Sequence, residues 1–252
     1  MTDKVLLSEA GRIATVTLNR PEVRNAIDLD VVDALEGILR DLGGRPEPPI
    51  LVLTGAGEKA FAAGADIREL RDRRAGDALG RINSGLFGRL EAYPLPTIAA
   101  VNGWCLGGGC EIAIACDLRV ASETARFGQP EVGLGIQAAA GATRRLPRLV
   151  GLGRARELLY TGRIVDAAEA LAIGLVNRVV PAARLQEEAR AMAAEIAGKG
   201  TLALRLTKIS LNHAHELSES AAGHLESVSQ AVLFESEEKF RRMTEFLEKK
   251  KT

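Results

Sequence analysis

An excess of charge of either sign is missing from this 252-residue chain: Lys plus Arg and Asp plus Glu both total 33. Zero balance supplies no field to draw the protein onto nucleic acid, a membrane surface or an acidic polymer, so a charged ligand has to be held by a local cluster. Cysteine is scarce. Cys105, Cys110 and Cys116 are odd in number and match neither a zinc pattern nor a CxxC redox pair, which points to reduced, buried thiols. Histidine is equally thin: His213 and His215 stand two apart, on different faces of a helix, and His224 is separate, so no metal is expected. Long apolar runs are absent too. None approaches the ~20 residues that span a bilayer, and the greasiest stretch, 97–115, is broken by Asn102, glycines and Glu111. The first nine residues carry charges and no apolar segment of signal-peptide length, which sets the expectation of a cytoplasmic protein without a membrane partner.

What is present is a hydrophobic content of 46%, enough over this length for one large α/β domain or a core with a smaller appendage. Residues 12–19 and 49–54 read as strands, the second buried on both faces because its apolar run is continuous. Between them, residues 28–42 carry a helical stripe of Leu29, Val32, Leu35, Ile38, Leu39 and Leu42. Residues 96–102 form another buried strand, followed by a glycine-rich turn, a helix over 109–116, a short strand over 118–121 and a last strand over 175–180. Strands joined by crossovers imply a largely parallel sheet. Composition shifts near Gly198 and Gly200; from 201 to 250 there is no proline and no strand-like run, so a helical appendage is expected that needs a surface to cover, in its own core or in a neighbouring subunit.

The segment 103–111 reads GWCLGGGCE. Glycines at a turn into a helix let a ligand approach the main chain, and the unpaired N–H groups of the helix start favour an anion there, either a phosphate or a developing oxyanion. No Lys-Ser or Lys-Thr follows them, and the Gly55-Ala56-Gly57 and Gly151-Leu152-Gly153 fragments lack the third glycine of a dinucleotide fingerprint, so nucleotide chemistry recedes. A donor pocket for negative charge developing on a substrate remains. Glu111 lies in the first turn of that helix and Glu131 follows the turn at Gly128 and Pro130. Position alone fits either a dipole-complementing and a solvated carboxylate or a pair that exchanges protons; in apolar surroundings two carboxyls raise one another's pKa.

These segments resemble the crotonase, or enoyl-CoA hydratase/isomerase, family. The matching stretches are Asn19-Arg20-Pro21 with Arg24-Asn25-Ala26, then 59–67 (KAFAAGADI), 100–117 (AVNGWCLGGGCEIAIACD), 127–135 (FGQPEVGLG) and 141–146 (GATRRL). The resemblance implies an α/β fold, a crotonase-type ββα superhelix or spiral over residues 1–197, with a C-terminal helical trimerisation region over 198–252 and homotrimers, often paired into hexamers. It implies a hydratase that adds water to a 2-enoyl-CoA to give 3-hydroxyacyl-CoA, with coenzyme A belonging to the substrate and no separate cofactor.

By motif position the backbone N–H groups of Ala65 and Gly108 would form the oxyanion hole. Glu111 would handle the water and Glu131 the proton at C2, and the N–H of Ala139 would help hold the water. Arg24, Ala26, Ala63, Ala65, Asp66, Ile67 and Gly108 would bind substrate and CoA. Trp104 and Leu70 fit either the acyl chain or core packing. The basic run 249–251 fits either CoA contacts from a neighbouring subunit or a solvated tail. Two departures stand out. Ala138-Ala139-Ala140-Gly141-Ala142 replaces a more glycine-rich loop, which bears on rate and acyl preference, and Arg242 stands where a glycine is usual. The alternatives are a double-bond isomerase, a hydratase of branched or aromatic thioesters and, against the charge balance, an RNA-binding member.

Overall fold

The computed structural model describes residues 4–249; Lys250 and Lys251 of the basic run, and the first three residues of the N-terminal segment, lie outside them. The chain opens with a hairpin, β1 (Val5–Ala10) against β2 (Ile13–Leu18), whose turn places Gly11 at φ 59. Helix α1 (Leu29–Gly43) starts where the Asp28 carboxylate accepts the N–H of Val31 (2.9 Å). It buries Val31, Val32, Leu35, Leu39 and Leu42, each contributing roughly 1.5–3 kcal/mol relative to exposure. Leu29, expected on that stripe, is instead exposed at the first turn.

From β3 (Ile50–Gly55) onward the strands alternate between two sheets. β3, β5 (Thr97–Val101) and β7 (Leu118–Ser122) join the larger sheet, while β4 (Ala60–Ala62), β6 (Trp104–Leu106) and β8 (Arg126–Gly128) build a smaller one. Helices return the chain after each strand pair: α2 (Ile67–Asp72), α3 (Ala75–Leu79) and α4 (Ile82–Glu91) after the first, α5 (Gly108–Ala115) after the second, and α6 (Ala142–Val150) with α7 (Leu152–Thr161) after the third. The strands thus trace the expected spiral of ββα turns. The larger sheet runs β1-β2-β3-β5-β7-β10 and is parallel from β2 on; the smaller runs β4-β6-β8-β9, parallel up to β8. β9 (Val165–Asp166), α8 (Ala167–Ala172), β10 (Arg178–Val180) and α9 (Leu185–Ala197) complete this part.

Two expectations need correction. The glycine turn follows β6, not the strand at 96–102, because the chain crosses to the second sheet in between. And only Arg178–Val180 of the expected last strand is paired. Leu175 and Val176 are buried without strand pairing, since the Leu175 carbonyl accepts Nε of the buried Arg119 (2.7 Å) and Asn177 Oδ1 accepts the Arg119 N–H (2.8 Å). Arg119 Nη1 also donates to the carbonyl of Cys116 (2.7 Å), placing a cation at the carboxyl end of α5.

The three cysteines are free and buried around α5. α10 (Thr201–His213), α11 (Glu219–Phe234) and α12 (Glu237–Lys249) form the all-helical tail. Arg242 ties α12 back: its Nη1 donates to the Gly198 carbonyl (3.0 Å) and its Nε to Glu238 (3.0 Å). No helix among the described residues is long and apolar enough to cross a membrane.

Candidate active site

The three short strands β4, β6 and β8 lie side by side and parallel, so the segments leaving their carboxyl ends converge on one place, as ligand sites in parallel sheets do. β4 leads into 63–66, β6 into Gly107 and α5, and β8 into Gln129 and a 3₁₀ turn over Pro130–Leu134.

At the first exit Gly64 turns with φ 102. The Gly64 carbonyl accepts the Ile27 N–H (2.8 Å), and the Ile27 carbonyl accepts the Asp66 N–H (3.2 Å). Among the described residues the Ala65 N–H makes no backbone hydrogen bond. At the second exit Gly108 opens α5, so its N–H has no carbonyl one turn earlier to donate to. A Cβ on Gly108 would stand 3.5 Å from the Ala65 nitrogen, so the two amides border one small space, and side chains there would fill it. At Gly109 a Cβ would collide with the Ala62 carbonyl, which explains the glycine where helix and strand touch.

Glu111 projects from α5 and is 3% exposed. Its Oε1 accepts the N–H groups of Ala140 (2.7 Å) and Ala142 (3.0 Å). Burial pushes its pKa up, opposed by those two amides and by the Arg145 charge. Glu131, 9% exposed, sits on the 3₁₀ turn. Burial, with the nearby Glu111 charge, pushes it up to about 7. With its amide nitrogen facing the carboxyl, the buried Gln129 donates to both Glu131 oxygens (3.1 and 3.2 Å). The loop rich in alanine stays unstrained: Ala138, Ala139 and Ala140 all have negative φ, and the one left-handed position, Gly141 at φ 123, keeps its glycine.

Both carboxyls open on a cavity of about 470 Å³. Of the residues singled out from sequence, Ala63, Ala65, Ile67, Leu70, Gly108, Glu111, Glu131 and Ala139 line it. Arg24, Ala26, Asp66 and Trp104 do not. Arg24 is exposed in the left-handed region (φ 55), with its carbonyl accepting the Ala63 N–H (3.0 Å). The Ala26 carbonyl accepts Arg20 Nη1 (2.7 Å), and Asp66 caps α2 by accepting the Arg68 N–H (3.1 Å). Trp104 faces outward from β6 because strand alternation turns Cys105 inward instead.

Beyond Ile67 and Leu70, the far wall, drawn from the α2–α4 region and the segment 134–136, had no signal in the sequence. It brings Arg73, Arg81, Asn83, Leu134 and Ile136 to the cavity. Gln129 was also missed, though it lies two residues before a residue already singled out.

A space bordered by two amides and two buried carboxyls, one of them titrating near neutrality, can polarise a carbonyl and move protons at adjacent carbons. The comparisons with known proteins agree. The sequence profile described as enoyl-CoA hydratase/isomerase matches residues 8–252. Over 251 residues the chain is 43% identical to the short-chain-enoyl-CoA hydratase of Clostridium acetobutylicum, covering 99% of this chain and 96% of that one. It is 41% identical, with the same coverage, to the crotonyl-CoA hydratase of Syntrophomonas wolfei. The crystal structure of an enoyl-CoA hydratase from Bacillus anthracis matches with a TM-score of 0.94 at 36% identity, covering 98% of this chain and 96% of that one. A match of this extent in both sequence and fold places the chain in the enoyl-CoA hydratase/isomerase family.

Proposed function

We propose that this protein is an enoyl-CoA hydratase acting on short 2-enoyl-CoA thioesters. The observation that carries the reading is the pairing of Glu111 and Glu131 on one cavity, both buried and both with raised pKa, beside the amides of Ala65 and Gly108.

In this mechanism the thioester carbonyl oxygen accepts the N–H groups of Ala65 and Gly108, which draw electron density off C3. Ionised Glu111 takes a proton from a water whose oxygen bonds to C3. Protonated Glu131 delivers its proton to C2, and the net change is addition of one water across the double bond. Ala139, on the cavity wall beside Ala140, is assigned to the water. Arg24 is assigned to CoA, outside the cavity but on the segment whose backbone supports Ala63. No cofactor besides the substrate's own CoA enters the scheme.

Short acyl groups are favoured by the names of the two relatives, one a short-chain and one a crotonyl-CoA hydratase. Hydration of crotonyl-CoA, followed by loss of the enoyl absorbance and identification of 3-hydroxybutyryl-CoA, tests the reaction; a series of longer enoyl-CoAs tests the length preference. Absence of hydration at every length would remove the proposal.

A homotrimer is part of the same reading. α11 and α12 expose Val228, Val232, Phe234, Phe240 and Met243, more apolar surface than a tail facing solvent carries. A separate groove of about 670 Å³ lies between α10 and α11 and reaches that surface at Phe234. Sedimentation equilibrium reads the stoichiometry and whether trimers pair. A cytoplasmic location also belongs to the proposal, supported by three cysteines that form no disulfide, and cell fractionation tests it.

A further inference from the structure

Behind Glu111 lies a charge that does not line the cavity. Arg145, in the first turns of α6, is 4% exposed. Its Nη1 donates to the Ala140 carbonyl (2.9 Å) and its Nη2 to Glu91 Oε2 at the end of α4 (2.9 Å). The N–H of the same Ala140 donates to Glu111 Oε1 (2.7 Å). A single residue of the loop therefore connects the guanidinium to the carboxylate.

Glu91 is itself fixed. Burial works against its ionisation, but the Arg145 and Arg144 guanidiniums outweigh it and hold the carboxyl down at about 2. Its backbone carbonyl accepts Asn212 Nδ2 from α10 (3.0 Å). The loop leaves room for this arrangement at Gly141, where a Cβ would collide with Arg145 Nη1.

The two carboxyls face different charges. Toward Glu111, α6 presents Arg145, α4 presents Glu91 already paired to it, and the 3₁₀ turn presents Glu131; the opposite wall of the cavity carries Arg73, Arg74, Asp77 and Arg81. Among the described residues Arg145 is the cation that counters the burial of Glu111, and none does so for Glu131.

We propose that Arg145, anchored on Glu91, is a positioning residue that holds the Ala140 amide on Glu111 and sets the charge facing it, so that Glu111 and not Glu131 acts as the base. The two roles then follow from what stands on one side of the pair, the Ala142 and Ala140 amides and the buried cation behind them. A purely structural Arg145 would satisfy the Ala140 carbonyl and Glu91 without affecting when Glu111 titrates.

The kinetic part of the test rests on the hydratase reading; the titration part does not. In the substrate-free protein, isotope-edited infrared spectroscopy of the Glu111 carboxyl, assigned by its loss in Glu111→Gln, follows its ionisation directly. Arg145→Gln is expected to move that ionisation to higher pH, because a cation is lost, and Glu91→Gln to lower pH, because the cation loses its counter-charge. In crotonyl-CoA hydration the acid limb of kcat/KM moves in the same two directions. In Arg145→Gln, kcat falls about 10–100-fold, the scale of outer-shell partners, with KM little changed. Arg145→Lys keeps the limb in place and recovers part of the rate.

An unmoved Glu111 titration in Arg145→Gln, or a shift of the same sign in both variants, overturns the proposal. If Arg145→Gln does not fold, the opposed shifts expected of Glu91→Gln and the unshifted Arg145→Lys decide it. If the wild-type protein hydrates no enoyl-CoA while the infrared shifts appear, the reaction is misassigned and the role of Arg145 stands.

Discussion

Gly107 and Glu131 share one space: a Cβ on Gly107 would stand 3.1 Å from Glu131 Oε1. The Gly107 backbone, at φ 52 and ψ −126, is also one that L side chains reach only under strain. Gly107→Ala therefore displaces the carboxyl and strains the turn that launches α5. Crotonyl-CoA hydration should fall by about 10²-fold, and urea unfolding should report a loss of about 1–3 kcal/mol. An unchanged rate in a less stable protein would show that Glu131 does not need this seat.

Glu131 gives up its proton at about 7 instead of 4.5. In the proposed mechanism it is the acid that supplies C2 and is competent below that pH, so kcat/KM should decline as pH rises through about 7. Glu131→Gln should lose the decline together with about 10²–10⁴-fold in rate. Stability runs the same way. The folded state holds this proton more tightly than the unfolded state, so the stabilising contribution is full below 4.5 and is lost as pH rises toward about 7. Calorimetry should find Glu131→Gln raising the melting temperature relative to wild type near pH ~8 but hardly near pH ~4.

Lys208 on α10 is buried, and its Nζ donates to Asp117 Oδ2 (2.7 Å) and to the Leu95 carbonyl (3.1 Å). Asp117 keeps other partners, since the Thr97 N–H (2.7 Å) and hydroxyl (2.9 Å) donate to the same oxygen. Lys208→Met, which retains most of the stem, should thus cost about 1–3 kcal/mol rather than the larger penalty of stranding a charge. Chemical denaturation measures it; a cost near zero would mean the pair contributes nothing net.

The loop beside Glu111 should respond unequally to two small changes. Gly141→Ala places a methyl against Arg145 at φ 123, so both hydration rate and stability should drop, the latter by about 1–3 kcal/mol. Ala139→Gly occupies ordinary backbone and opens the cavity wall; its stability cost should stay within about 1 kcal/mol, while longer enoyl-CoAs become better substrates. Rate comparisons with short and long thioesters check the second outcome.

Buried parallel strands were legible from the continuous apolar runs that became β3 and β5, because strands covered on both faces lose the alternation of half-exposed ones. β4, β6 and β8 were not, since three residues are too few to establish a period. What forms them is close approach: at Gly103 a Cβ would collide with the Lys59 carbonyl. In the site, the glycines before Glu111 advertised an anion pocket. Arg145 gave no such signal, because beside Arg144 it has the look of a solvated pair, and only burial separates a braced guanidinium from a surface one. Trp104 was assigned either to the acyl chain or to the core on size; on a strand the choice of face is made by register, which sends it to the exterior.

Helices α2 and α3 bury no residue, yet Ile67, Leu70, Ala78 and Ile82 from this stretch border the cavity. An acyl chain seated in the cavity would lie against these helices and cover their inner face. Apolar surface covered by a ligand there would be withdrawn from water on both sides, which would link binding to the stability of residues 67–82. A change that loosens this stretch should then weaken substrate affinity. Occupancy, in turn, should slow amide exchange and proteolysis there before it does so anywhere else in the chain.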